Sequence, residues 1–187
     1  MCLNITSKNL IPEMIRFIKI IFSILVFFNL ACKSHDIEQK PTDAEVKLQF
    51  EKANKLIIRH ERKDIEEFIQ RHQLKMDSTG TGLRYEIYLK GKGDLPHPHD
   101  AVAITYRVFF LDGNQVYQIP SEHPDTVRLA EGNLVNGLEE LVAMMNAGAK
   151  ARAILPAHLA FGMLGDDNKI PGATPLYYDL QLIKINP

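Results

Sequence analysis

Along the second half of the chain apolar residues recur at every other position, whereas between Val46 and Ile69 they recur every three or four. The two periods belong to strands and to a helix respectively. Leu83, Tyr85, Ile87 and Leu89 alternate with polar residues, and so do most positions of Ala101 to Leu111, which predicts two half-buried strands. Asp112-Gly113 reads as a hairpin turn, with Val116 and Tyr117 beginning the return strand. Pro120 to Asp125 reads as a loop, and Thr126 to Leu129 leads onward from it. A short helix opens after Gly137, because Leu138, Leu141, Val142 and Met145 fall on one face. Gly148 is expected to end it, after which Ala151, Ala153 and Leu155 alternate up to Pro156. A long loop follows, and Leu176 to Ile185 alternates again as the last strand. Five or six antiparallel strands around one short helix make an α+β domain.

The helical period belongs to an extension ahead of that domain. Asp43 to Met76 contains neither Gly nor Pro, and Thr42 followed by Glu45 is a capping-box signature. Val46, Phe50, Ala53 and Ile57 form an apolar stripe that resumes at Ile65, Phe68 and Ile69. His60 to Lys63 interrupts it, so one helix or two fit the pattern. Glu51 with Lys55 and Arg62 with Glu66 are spaced as i,i+4 ion pairs. Two roles suit such an element: packing on its own domain, or acting as an arm for a homodimer through residues 43–76.

The N-terminus changes the expected location. Arg16 and Lys19 precede the apolar run Ile20 to Ala31, which is short for a bilayer span and suits the core of an export signal. Ala31-Cys32 after such a run resembles the lipobox of bacterial lipoproteins, in which the cysteine is acylated and becomes the first residue. Residues 1–31 are therefore expected to be a signal peptide, and residues 32–42 a polar tether anchored to the membrane by lipid on Cys32. Lys33 after the cysteine favours the outer membrane by the same resemblance. Met14 directly before IRFIK is an alternative start.

Composition mainly excludes. With 22 basic and 23 acidic side chains the formal charge is −1, and no dense Lys/Arg run with interleaved aromatics is present, which argues against nucleic acid as a partner. Only Cys2 and Cys32 occur, both ahead of the strand-rich part, so neither disulfides nor a cysteine zinc site hold the fold. Gly91-Lys92-Gly93 is not a phosphate loop, since no Ser or Thr follows the lysine. His97 and His99 on a proline-kinked loop read as exposed histidines rather than metal ligands.

Taken in order, YRVFFLDG at Tyr106 to Gly113, EGNLVNGLEELVAMMNAGAKARAILP at Glu131 to Pro156, AFG at Ala160, IPG at Ile170 and the terminal LYYDLQLIKI resemble an FK506-binding-protein (FKBP)-type prolyl isomerase. The resemblance covers residues 82–187. It implies an FKBP-like antiparallel sheet wrapped around the short helix, and peptidyl-prolyl cis-trans isomerase activity that needs no cofactor or metal. Signal, helical leader and domain order also resemble the FKBP-type lipoproteins associated with gliding motility. By the same resemblance Tyr106 and Tyr117 would form walls of an apolar slot and Leu138 its floor. Val135 would offer its backbone N–H to a substrate carbonyl, and Phe161, Ile170 and Tyr178 would complete the enclosure. Proline-containing exported polypeptides would be the substrates.

Four positions depart from the family pattern. Leu138 stands where Trp is usual, Gln118 where an acid follows the return-strand aromatic, Phe161 where a phenol is common, and Asp125 where a pocket aromatic is frequent. Each lost polar contact would weaken binding by about 0.5–1.5 kcal/mol. The departures keep a second function in view, a catalytically weak binding module or chaperone on the same fold.

Overall fold

The computed structural model describes residues 42–186, so the expected signal, the lipidated Cys32 and most of the tether lie outside the described residues. Helix α1 spans Asp43–Arg71, the short helix α2 spans Asn136–Ala143, and the strands are β1 Asp77–Ser78, β2 Arg84–Leu89, β3 Ala101–Phe110, β4 Gln115–Ile119, β5 Asp125–Arg128, β6 Lys150–Leu155 and β7 Leu176–Ile185. All strand pairs are antiparallel, in the order β1-β2-β6-β7-β3-β4, with β5 also on β3. β4 meets residues 106–109 of β3 and β5 meets residues 101–104, so both share one edge of that strand. Among the described residues there are seven strands, one more than expected. The addition is β1, whose two residues are too few for a periodic signal.

Alternation decides what each face of the sheet carries. Leu176, Tyr178, Leu180 and Leu182 of β7, Val102, Ile104 and Val108 of β3, and Ala151, Ala153 and Leu155 of β6 point inward. Leu138, Leu141 and Val142 of α2, with Met145 just beyond, fill the concavity against them. Gly137 lets α2 approach β6: a Cβ there would lie 2.6 Å from Leu155 Cγ. The helix stops at Ala143, earlier than Gly148, because the Met144 and Met145 amides close tight turns onto Leu141 and Val142. Gly148 instead takes φ +84° at the junction into β6, where its N–H donates to the Leu182 carbonyl at 2.7 Å.

The outer face is partly covered by α1. Ile154 is fully buried there beneath Ile65 and Phe68, with Tyr177 alongside at 5.3 Å from the Phe68 ring. Glu66 meets Arg84 of β2 at 2.8 Å rather than pairing with Arg62. Glu61 accepts the Ala157 N–H at the head of the long loop. α1 is a single helix, opened by the expected capping box, with Thr42 N–H donating to Glu45 Oε2 at 2.9 Å and Glu45 N–H to Thr42 Oγ1 at 3.3 Å. It ends at Arg71, five residues short of Met76, because Gln73 turns left-handed at φ +51° and the Leu74 N–H closes onto the Ile69 carbonyl. Its apolar stripe is buried only towards that end. Leu48, Phe50, Leu56 and Ile58 remain at least half exposed, Phe50 at 65 %. No helix among the described residues is long and apolar enough to cross a membrane.

Candidate active site

All seven residues named from the sequence belong to, or pack against, the main apolar cluster. Leu138, Ile170 and Tyr178 are 2, 3 and 2 % exposed within the main apolar cluster, and Tyr106, Tyr117, Val135 and Phe161 are half-buried against it. On the family pattern the three buried side chains would be the floor of the slot and the four half-buried ones its rim. Tyr106 and Tyr178, on adjacent strands, pack edge to face at 5.8 Å between ring centroids. Burial raises the Tyr178 hydroxyl pKa strongly, and burial followed by the charge of Asp125 raises that of Tyr106, so both remain neutral phenols at physiological pH.

Val135 sits immediately before α2 with φ −64° and ψ 146°. Its carbonyl accepts the Leu138 and Glu139 amides at 2.9 and 3.1 Å, which fixes the peptide plane that follows. Its own N–H donates to no protein group among the described residues, the state expected of a donor kept for a ligand.

β4 reaches the site through a bulge. Val108 pairs with Tyr117 and Phe109 with Gln115, which leaves Val116 as an extra residue on the bulged strand. Val116 and Tyr117 consequently both join the core cluster, Val116 buried and Tyr117 half-buried. Gln118 goes the other way. It pairs with Arg107 on the outer face and receives a hydrogen bond from Gln115 at 3.1 Å. Its amide faces away from the core cluster.

The long loop supplies Phe161 at one end and Ile170 at the other, and it crosses itself closely. A Cβ on Gly165, at φ +83°, would lie 2.1 Å from the Ile170 carbonyl oxygen, and one on Gly172 would lie 2.0 Å from that of Met163. Asp166 organises the turn between them. Its Oδ1 accepts the amides of Asn168, Lys169 and Ile170 at 3.0, 2.9 and 2.7 Å, while Oδ2 accepts the Tyr117 hydroxyl. Asn168 Nδ2 donates to the same phenol oxygen at 3.2 Å, and the Lys169 ammonium lies 5.0 Å from the Tyr117 ring centroid. Sequence reasoning passed over Asp166. The available signal was an Asp two to four residues ahead of amides in need of a partner, just after Gly165.

The Tyr117 hydroxyl, ahead of the loop amides, holds the Asp166 carboxyl down at about 2, from an ordinary 3.8. A lowered carboxyl stabilises the fold fully above its unfolded value, and that contribution disappears as pH falls through the folded one. The loop turn is thus expected to persist well below pH 4 and to be lost near pH 2. The carboxyl 13C shift of Asp166 in an NMR titration reads the midpoint directly, and a midpoint near 4 would contradict the arrangement.

Residues 93–183 match the family model described as FKBP-type peptidyl-prolyl cis-trans isomerase. The chain is 29 % identical over 126 residues to the FKBP-type peptidyl-prolyl cis-trans isomerase FkpA of Escherichia coli strain K12, covering 65 % of this chain and 44 % of that protein. It is 28 % identical over 122 residues to the probable FkpA of Neisseria meningitidis serogroup B, covering 64 % of this chain and 44 % of that one. It thus spans less than half the length of these relatives. The crystal structure of FkpA from Escherichia coli superposes with a TM-score of 0.61 at 25 % identity, over 79 % of this chain and 75 % of that one. Residues 93–183, on the antiparallel sheet described above, thus form a domain of the FKBP-type peptidyl-prolyl cis-trans isomerase family.

Proposed function

We propose that the chain catalyses cis-trans isomerisation of Xaa-Pro bonds in exported polypeptides, from a position in the bacterial envelope anchored by lipid on Cys32. The observation that carries the catalytic reading is the apolar rim and floor around Leu138, with the unused Val135 N–H beside it. A prolyl amide rotates over a barrier of about 18–20 kcal/mol because the planar form is resonance-stabilised. The twisted transition state has lost that resonance and much of its charge separation. An apolar enclosure of Tyr106, Tyr117, Phe161, Ile170 and Tyr178 favours it over the solvated ground state, and the Val135 N–H holds a flanking carbonyl. Leu138, smaller than an indole, leaves a deeper floor.

Val135→Pro tests the donor cleanly, since φ −64° already lies in the range proline requires. The variant is expected to stay folded and to lose about 2–10-fold in kcat/KM on short Xaa-Pro peptides followed by NMR exchange, the equivalent of one hydrogen bond. Unchanged catalysis would remove Val135 from the mechanism. For the anchor, labelled palmitate entering the chain but not a Cys32→Ala variant is the expected result.

A second reading is a binding module or chaperone on the same fold, within an envelope assembly of the kind associated with gliding. It is favoured by the exposed Leu48, Phe50, Leu56 and Ile58 on α1. The extension over residues 43–76 could instead serve a homodimer, for which a doubled mass by light scattering at high concentration is the expected result and a monomer would remove it.

A further inference from the structure

We propose that Asp166 is a positioning residue for the isomerase site, clasping the long loop to β4 so that the Tyr117 wall and the Ile170 floor are held as one piece. The proposal rests on the isomerase reading of that site. The two oxygens of one rigid carboxylate are committed to two elements far apart in sequence. Oδ1 gathers the Asn168, Lys169 and Ile170 amides of the loop, and Oδ2 receives the phenol of Tyr117 from the bulged strand. Three further contacts run across the same junction or brace it. Asn168 Nδ2 donates to the Tyr117 hydroxyl at 3.2 Å, the Lys169 ammonium donates to the Val116 carbonyl at 3.4 Å, and the Asp166 N–H donates to the Ile170 carbonyl at 3.1 Å.

The consequence concerns the substrate. Ile170 belongs to the floor and is bonded through its amide to the carboxylate, while Tyr117 belongs to the rim and is bonded through its hydroxyl. The loop cannot shift without carrying the phenol with it. A charged acceptor suits this role because its hydrogen bonds are shorter and stronger than those of a neutral amide. Residues that hold a rim in its bound geometry act chiefly on binding, because they spare the ligand the cost of ordering it. Breaking the clasp therefore weakens peptide binding.

Two single variants and their combination separate positioning from simple stabilisation of the loop. Asp166→Asn keeps an oxygen for the three amides and removes the acceptor for the phenol. Tyr117→Phe keeps the ring and removes the donor. In the full chain, each is expected to raise the Kd of a short Xaa-Pro peptide by about tenfold, as loss of a charge-assisted bond implies. The double variant is expected to be no worse than the weaker single, since both break one bond. In Asp166→Asn the Tyr117 hydroxyl, whose pKa is raised first by its bond to Asp166, returns towards its ordinary value in a 13C titration. Unchanged affinity in either single, losses that add, or an unaltered Tyr117 titration would each overturn the clasp. If the unmodified chain binds the peptide without isomerising it, the catalytic reading fails alone and the affinity comparison still decides the clasp. A chain that neither binds nor isomerises overturns both.

Discussion

Tyr178→Ala is expected to destabilise the fold by about 3–5 kcal/mol, the range for truncating a buried aromatic, and to remove isomerisation with it. Tyr178 is 2 % exposed on β7, between Val108 of β3 and Ala153 of β6, and its ring closes edge to face on Tyr106. Alanine leaves a cavity that the flanking strands cannot fill, since both are pinned by ladders on either side. A loss of that size is a large fraction of the roughly 5–15 kcal/mol that holds a typical domain together. Tyr178→Phe separates the two effects. It keeps the ring and deletes a hydroxyl that has no hydrogen-bond partner among the described residues, so stability and catalysis should both stay close to those of the unmodified chain. Urea unfolding and peptide exchange on the same samples check both statements. An alanine variant as stable as the parent would show that the β7 face is not the packed floor described.

Gly165→Ala is the second large effect, and it acts on the loop rather than the sheet. The added Cβ would stand 2.1 Å from the Ile170 carbonyl oxygen at a backbone φ of +83°, so both the contact and the conformation oppose it. The neighbour is backbone, which cannot swing aside as a side chain tip can. Overpacking of this kind costs about 1–3 kcal/mol, and the left-handed conformation adds to it. The loop is expected to open between Phe161 and Pro171, leaving the sheet intact by circular dichroism while Asp166 loses its geometry on Ile170 and catalysis falls. Retained catalysis with retained loop shifts would contradict the close crossing.

Much of this molecule could be read from period alone, and the failures share a cause. β7 matches Leu176 to Ile185 because one face is buried from Leu176 to Leu182, so every second residue there is constrained. Tyr106, Tyr117 and Tyr178 stand on strands and Val135 and Leu138 at the start of α2, which is why period could place them against the core cluster. The bulge at Val116 could not be read, because a one-residue shift leaves no mark in a five-residue strand. The burial of Ile154 has no local signal, since Ile65 and Phe68, far away in sequence, cover it. The turn role of Asp166 had a local signal, but its bond to Tyr117, 49 residues earlier, had none. The end of α1 depended on Gln73 adopting a left-handed turn without a glycine.

The central claim is that the slot around Leu138 turns prolyl bonds, and NMR exchange spectroscopy of short Xaa-Pro peptides with the purified chain tests it most directly. The half-buried Phe161 provides a control, since Phe161→Ala removes one rim side chain from a loop without opening the sheet core. The predicted result is cis-trans exchange faster than the uncatalysed tens of seconds, reduced in Phe161→Ala. Exchange at the uncatalysed rate in the presence of the folded chain would contradict the claim.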